Sequence, residues 1–237
     1  SLENVDLIPV APSLFPDATL SQSGEVVACE GDILTIQAIS DAENYEWFNA
    51  DTLVGIADSL NIETDGIYSL VLSNRHCSTT SEIAEVTYSE YPENNLEVIG
   101  ETNFCEGNST ILSVETGIDN YFWFQNGELI TTDTNSITVS ESGVYRAGLV
   151  NGLCAINTDS VVIEVVEYPE ANLMINGALS FCEGETLMLS VEAGAEKYVW
   201  YKNEEVLPEL ENSIMVSETG TYRAEASHLI CVTPSEA

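Results

Sequence analysis

The sequence predicts an all-β chain: tandem two-sheet β-sandwich repeats of about 77 residues, joined as an extended rod. Three observations predict it. Cys-Glu-Gly recurs at Cys29-Glu30-Gly31, Cys105-Glu106-Gly107 and Cys182-Glu183-Gly184, in steps of 76 and 77 residues. Trp47, Trp123 and Trp200 each follow those cysteines by 18 residues, and Gly66/Tyr68, Gly143/Tyr145 and Gly220/Tyr222 repeat behind them. Between these markers lie short runs that alternate apolar and polar residues, the period of half-buried strands, and no convincing helix.

Each repeat reads alike from its start. A proline linker opens it: LFPDATL (14–20), EYPENNL (90–96) and EYPEANL (167–173). Proline removes a backbone donor and stiffens the joint. A glycine precedes each Cys-Glu-Gly by five residues, at Gly24, Gly100 and Gly177. Strand runs follow, among them ILTIQA, STILSV and TLMLSV, and later GIYSLVL, SITVS and VVIEVVEY. Asn126-Gly127-Glu128 is a hairpin turn signal. Cys77, Cys154 and Cys231 each stand nine residues beyond the Gly-x-Tyr tyrosine, so the pattern uses every cysteine and every tryptophan. The expected organisation is 1–15 as the last strand of a preceding repeat, then repeats at 16–92, 93–169 and 170–237, the third lacking its last strand. That phase suggests a window cut from a longer array.

Charge narrows the function classes. Forty acidic residues against five basic ones give a net charge of −35. Nucleic acid is excluded as a partner, because binding needs Lys and Arg to displace counterions. An anionic membrane surface is disfavoured for the same reason, and no apolar run is long enough for a membrane span. The opening SLENVDLIPV has no basic start or apolar core, so a signal peptide is not expected within this sequence. Six cysteines at fixed places point to an oxidising, extracellular setting.

The order Cys-Glu-Gly, strand, Trp, hairpin, Gly-x-Tyr resembles bacterial immunoglobulin-like and PKD-like repeats, which are abundant in large surface and secreted proteins of the Bacteroidota, gliding adhesins and polysaccharide-degrading enzymes among them. The resemblance covers essentially the whole chain. It implies an extracellular, cell-surface, non-catalytic stalk exported by that phylum's own secretion route. The chain departs from animal immunoglobulin domains in lacking the central disulfide. The positions for it hold the apolar pairs Ala38/Leu70, Val114/Ala147 and Val191/Ala224.

In such a sandwich the Cys-Glu-Gly cysteine lies at one end of the repeat and the second cysteine at the other. Counted along the strands, Cys105 and Cys154 stand roughly 40 Å apart at about 3.3 Å per residue. A disulfide needs Cα atoms within about 7 Å. The expected bridges therefore cross the joints, Cys29–Cys154 and Cys105–Cys231, with Cys77 and Cys182 left for repeats outside this sequence. Local pairing of Cys29 with Cys77 and its equivalents, under a different topology, and free thiols are the alternatives.

The remaining residues weigh against chemistry. Trp47, Trp123 and Trp200 are expected in the core rather than as sugar platforms, and Tyr68, Tyr145 and Tyr222 as tyrosine corners. His76 and His228 have no matching nucleophile, and no Cys-x-x-Cys, His-Glu-x-x-His or EF-hand loop occurs, so no enzyme and no firmly held metal are expected. A loose Ca²⁺ at the joints, shared by Asp17, Glu90, Glu93, Glu167 and Glu170, is the one cofactor left open. Asp51-Thr52-Leu53, Asp58-Ser59-Leu60 and Asp159-Ser160-Val161 are similar to the O-glycan acceptor pattern of that phylum, and Asn108-Ser109-Thr110 is a sequon. The expected function is structural: a stalk segment of a surface filament or adhesin, with neighbouring repeats of the same chain as its partners and lateral self-association or a surface glycan as further ones. The rivals are a glycan- or protein-binding module and a non-catalytic spacer of a secreted polysaccharide-degrading enzyme. A β-strand passed between chains is a further option, since the sequence opens on an orphan strand.

Overall fold

The computed structural model describes residues 13–236. Repeat 1 holds β1 (Gly24–Cys29), β2 (Leu34–Gln37), β3 (Asn44–Asn49), β4 (Thr52–Gly55), β5 (Ser59–Ile62), β6 (Gly66–Ser73), β7 (Ser78–Thr80) and β8 (Ala84–Ser89). Repeat 2 holds β9 (Glu97–Ile99), β10 (Asn103–Cys105), β11 (Thr110–Ser113), β12 (Asn120–Gln125), β13 (Glu128–Thr132), β14 (Ser136–Val139), β15 (Gly143–Asn151), β16 (Cys154–Asn157) and β17 (Val161–Val166). Repeat 3 holds β18 (Met174–Asn176), β19 (Leu187–Ser190), β20 (Lys197–Lys202), β21 (Glu205–Val206), β22 (Ser213–Val216), β23 (Tyr222–His228) and β24 (Cys231–Pro234).

Each repeat is an immunoglobulin-like sandwich of two sheets. The larger sheet of repeat 1 runs β1-β8-β6-β3-β4 and that of repeat 2 runs β10-β17-β15-β12-β13. The smaller sheets are β2-β5, β14-β11-β9 and β18-β19-β22. Among the described residues, the larger sheet of repeat 3 runs β21-β20-β23-β24. The strand reading placed no element before Cys-Glu-Gly, whereas β1 and β10 stand there, each parallel to the last strand of its repeat. β1 is six residues long but its burial does not alternate regularly, and β10 is only three residues long, so neither leaves a clear period in the sequence.

Three tryptophans sit at the centre because an indole is large enough to bridge two sheets about 10 Å apart. Trp47, Trp123 and Trp200 are fully buried. Each indole N–H donates to a backbone carbonyl, of Ala57 at 2.8 Å, Thr134 at 2.8 Å and Glu211 at 2.9 Å. Ile36, Leu70 and Leu72 pack around Trp47 in one core, and Leu189, Val191 and Ala224 around Trp200 in another. The phenols of Tyr68, Tyr145 and Tyr222 each donate to the carbonyl four residues earlier, of Thr64 (3.0 Å), Glu141 (2.9 Å) and Glu218 (2.9 Å). Tyr145→Phe removes one such bond and leaves a carbonyl unpaired at a part-buried position. The expected result is a loss of about 1 kcal/mol in denaturant unfolding; an unchanged midpoint would show the corner to be dispensable.

By contacts the chain divides into two units. One comprises the residues up to Glu93 with Gly117–Asn120 and Leu149–Ile156; the other comprises Asn94–Thr116, Tyr121–Gly148 and the residues from Asn157 onward. The tip of the β15–β16 hairpin, though part of repeat 2 in sequence, thus belongs with repeat 1.

Candidate functional site

The chemistry of this chain is concentrated where successive repeats meet. Cys-Glu-Gly forms a tight turn at the end of β1 and β10. Asp32 N–H donates to the Cys29 carbonyl at 3.0 Å, Asn108 to Cys105 at 3.1 Å and Glu185 to Cys182 at 3.0 Å. The glycine at the third position has φ of 87°, 87° and 90° in the three copies. That is a type II turn, and only a residue without Cβ adopts such a φ freely. The turn presents its cysteine at the sheet end: Cys29 pairs in register with Ser89 and Cys105 with Val166.

The second cysteine arrives from the other direction, just beyond the turn after β6, β15 or β23. Cys154 bonds to Cys29 and Cys231 bonds to Cys105, each with Cα atoms 5.6 Å apart, across 125 and 126 residues of chain. Cys29 and Cys154 fall within the first unit, Cys105 and Cys231 within the second. The Cys154 sulfur lies 3.5 Å from the Ser89 carbonyl oxygen, and the Cys231 sulfur 3.6 Å from that of Val166. A bridged sulfur carries no hydrogen, so these are packing contacts. Cys105, Cys231 and Val166 form a small buried apolar cluster, Cys231 being fully buried.

Cys77 and Cys182 are free thiols, the first half-buried and the second exposed. Cys77 is nevertheless placed like its two equivalents, with its sulfur 3.6 Å from the Ser13 carbonyl. Ser13, Ser89 and Val166 each stand three residues before a linker proline. The expected strand over 1–15 otherwise lies outside the described residues.

Among the described residues no group of three or more His, Cys, Asp or Glu is placed to hold a metal ion. Glu170 faces Glu192, and sharing a hydrogen bond with it, then its charge, raises the Glu170 pKa above the ordinary value. Glu218 is lowered by its hydrogen bond and ion pair with Lys202. Glu225 is lowered first by the hydrogen bond from Arg223. In an NMR titration Glu218 and Glu225 should therefore protonate at lower pH than Glu170. The sign follows: a lowered carboxylate contributes stability above its unfolded pKa and loses it as pH falls through the folded value. Glu170 does the reverse, its deprotonation costing stability as pH rises. Equal midpoints for the three would overturn these contacts.

The sequence reading missed one recurrent contact. Arg146 stacks on Phe124 at 4.1 Å and Arg223 on Tyr201 at 3.7 Å. The signal was present in the two Tyr-Arg dipeptides that close Gly-x-Tyr in repeats 2 and 3; repeat 1 has Ser69 there. Thr52, Ser160 and Asn108 of the glycan-acceptor patterns are exposed and Ser59 is half-buried. No helix among the described residues is long and apolar enough to cross a membrane.

No protein-family model matches the chain, and no curated protein does. Among solved structures it is similar to murine CEACAM1b, at 12% identity and a TM-score of 0.36, over 60% of this chain and 96% of that one. It is also similar to the N-terminal four Ig domains of Dscam1 isoform 6.9, at 11% identity and a TM-score of 0.34, over 95% of this chain and 72% of that one. Sidekick-1 immunoglobulin domains 1–5 match at 14% identity and a TM-score of 0.30, over 93% of this chain and 58% of that one.

Proposed function

We propose that this chain is a structural stalk segment of an extracellular surface filament or adhesin, whose immunoglobulin-like repeats are stapled to one another by disulfides so that the whole resists extension. The observation that carries the reading is the repetition of one bridge: Cys29–Cys154 and Cys105–Cys231 link equivalent positions of successive repeats. A disulfide inside one repeat would stabilise that repeat; one between repeats fixes a joint. Bridges of this kind persist in oxidising surroundings, which supports an extracellular place. The acidic charge keeps such segments soluble and mutually repelling. Extension under force, before and after reduction, tests the reading. A chain that lengthens equally in both states would remove it.

A further inference from the structure

The sequence holds three methionines, Met174, Met188 and Met215, and none of them enters a core. Methionine is ordinarily among the more buried residue types, filling gaps in packed interiors. Here Met174, Met188 and Met215 are 47%, 36% and 61% exposed, and all three lie on the smaller sheet of repeat 3, β18-β19-β22. Alternation puts them on its outer face. Leu187 and Leu189 on either side of Met188 are buried, as are Ile214 and Val216 on either side of Met215. Met188 is the cross-strand partner of Met215, and Met174 pairs with Ser190, the next residue of β19 on the same face. Residues directly opposite across two strands have Cβ atoms about 5 Å apart, so Met188 and Met215 lie side by side. Asn176, Ser190 and Ser213 complete the face, and no charged side chain projects from these three strands on that side.

The same places are filled differently in the other repeats. In repeat 1 Thr35 pairs with Asn61, its hydroxyl donating to the amide oxygen at 2.8 Å. In repeat 2 Ile111 pairs with Thr138. Neither pair carries sulfur. A thioether is readily oxidised where an oxidant can reach it, and the result depends on where it sits. In a packed core a sulfoxide forces a polar oxygen among apolar side chains. On the outer face of β18-β19-β22 that oxygen points into water. The inner side of the sheet, with Leu187, Leu189, Ile214 and Val216 in the core around Trp200, is left as it was. Repeat 3 can therefore take an oxygen on all three sulfurs and stay folded.

We propose that Met174, Met188 and Met215 form a modification site, converted together to methionine sulfoxides by a neutral peroxide such as hydrogen peroxide. In each conversion the sulfur lone pair takes one peroxide oxygen, the O–O bond breaks, and the other oxygen leaves as water. The sulfur is oxidised by two electrons and the peroxide is reduced by two. Charge selects the class of oxidant. A net charge of −35 lowers the local concentration of anionic oxidants, whereas a neutral peroxide is not repelled. The change is reversible, because methionine sulfoxide reductases with a dithiol reductant remove the oxygen as water while the dithiol becomes a disulfide. The product is a sheet face turned from apolar to polar on a repeat that keeps its fold. The inference goes beyond the stalk reading and does not depend on it.

The test treats the chain carrying Cys77→Ser and Cys182→Ser, which removes the competing thiols, with hydrogen peroxide alongside free methionine. Peptide mass spectrometry follows each site, calorimetry the melting, and hydrophobic-interaction chromatography the surface. The expected result is oxidation of all three methionines at rates within about tenfold of free methionine, with a melting midpoint within about 5 °C of the untreated chain. Elution should come earlier after oxidation and return when methionine sulfoxide reductases act with dithiothreitol. The chain that also carries Met174→Leu, Met188→Leu and Met215→Leu should keep its elution time under the same treatment, since leucine leaves the face apolar without sulfur. A methionine still intact once free methionine is consumed, a melting midpoint lowered beyond that margin, or an equal elution shift in the leucine-substituted chain would each overturn the proposal.

Discussion

Pulled by its ends in the oxidised state, with Cys77 and Cys182 replaced by Ser, the chain is expected to extend no further than about 180 Å between Cys29 and Cys231, against about 730 Å after reduction, taking about 3.6 Å per fully extended residue. The limit follows from how the bridges interleave. Cys105 lies between Cys29 and Cys154 in sequence, and Cys154 lies between Cys105 and Cys231. The two disulfides therefore create two covalent nodes, one joining Cys29 to Cys154 and one joining Cys105 to Cys231. Three segments run in parallel between the nodes: 76 residues from Cys29 to Cys105, 49 from Cys105 to Cys154 and 77 from Cys154 to Cys231. The shortest becomes taut first and sets the reach. After reduction the only path is the backbone, 202 residues (231 minus 29). Repeats 1 and 3 can lose their strands under force without passing tension through their unravelled length. Single-molecule force spectroscopy with and without reductant reads this directly. An oxidised chain that extends by several hundred ångströms would mean that the bridges do not form together.

The fold was legible because its strongest markers are rigid. A tryptophan that must bridge two sheets, and a glycine that must turn at positive φ, tolerate few substitutes and recur at fixed spacing, so Trp123 and Gly107 announce the repeat before any strand is assigned. The distance between the two cysteines of one repeat was legible too, since strand residues rise by a nearly constant step. What escaped is what lacks a period. β1 and β10 lie at a sheet edge beside a parallel partner, where alternation is weak. The contact of Cys77 with the Ser13 carbonyl joins residues 64 apart and leaves no local trace. The stacking of Arg146 on Phe124 and Arg223 on Tyr201 depends on which face two strands present to each other, which a residue count does not contain. Nor does the count show that the β15–β16 tip belongs with the repeat before it.

Replacing both members of one bridge with alanine, Cys29→Ala with Cys154→Ala, is expected to lower stability by about 5 kcal/mol and the melting midpoint by roughly 10–20 °C. In the chain-entropy model a bridge acts on the unfolded state, and closing a loop of 125 residues sits near the upper end of what one disulfide contributes. Interleaving changes this little. With the other bridge in place the unfolded chain is already shortened, but the entropy depends on the logarithm of the effective loop length, so the second bridge still contributes nearly what the first does. The pair Cys105→Ala with Cys231→Ala should therefore cost a similar amount, with the cavity left by the fully buried Cys231 added. Cys77→Ser and Cys182→Ser are the controls, since neither thiol is bridged, and both should melt with the parent. Differential scanning calorimetry of the four variants settles the matter. If both alanine pairs melt within about 2 °C of the parent, the unfolded state is not restrained by the bridges; the joints would then be held by packing at places such as the Cys105–Val166–Cys231 cluster, and the staples would serve only under force.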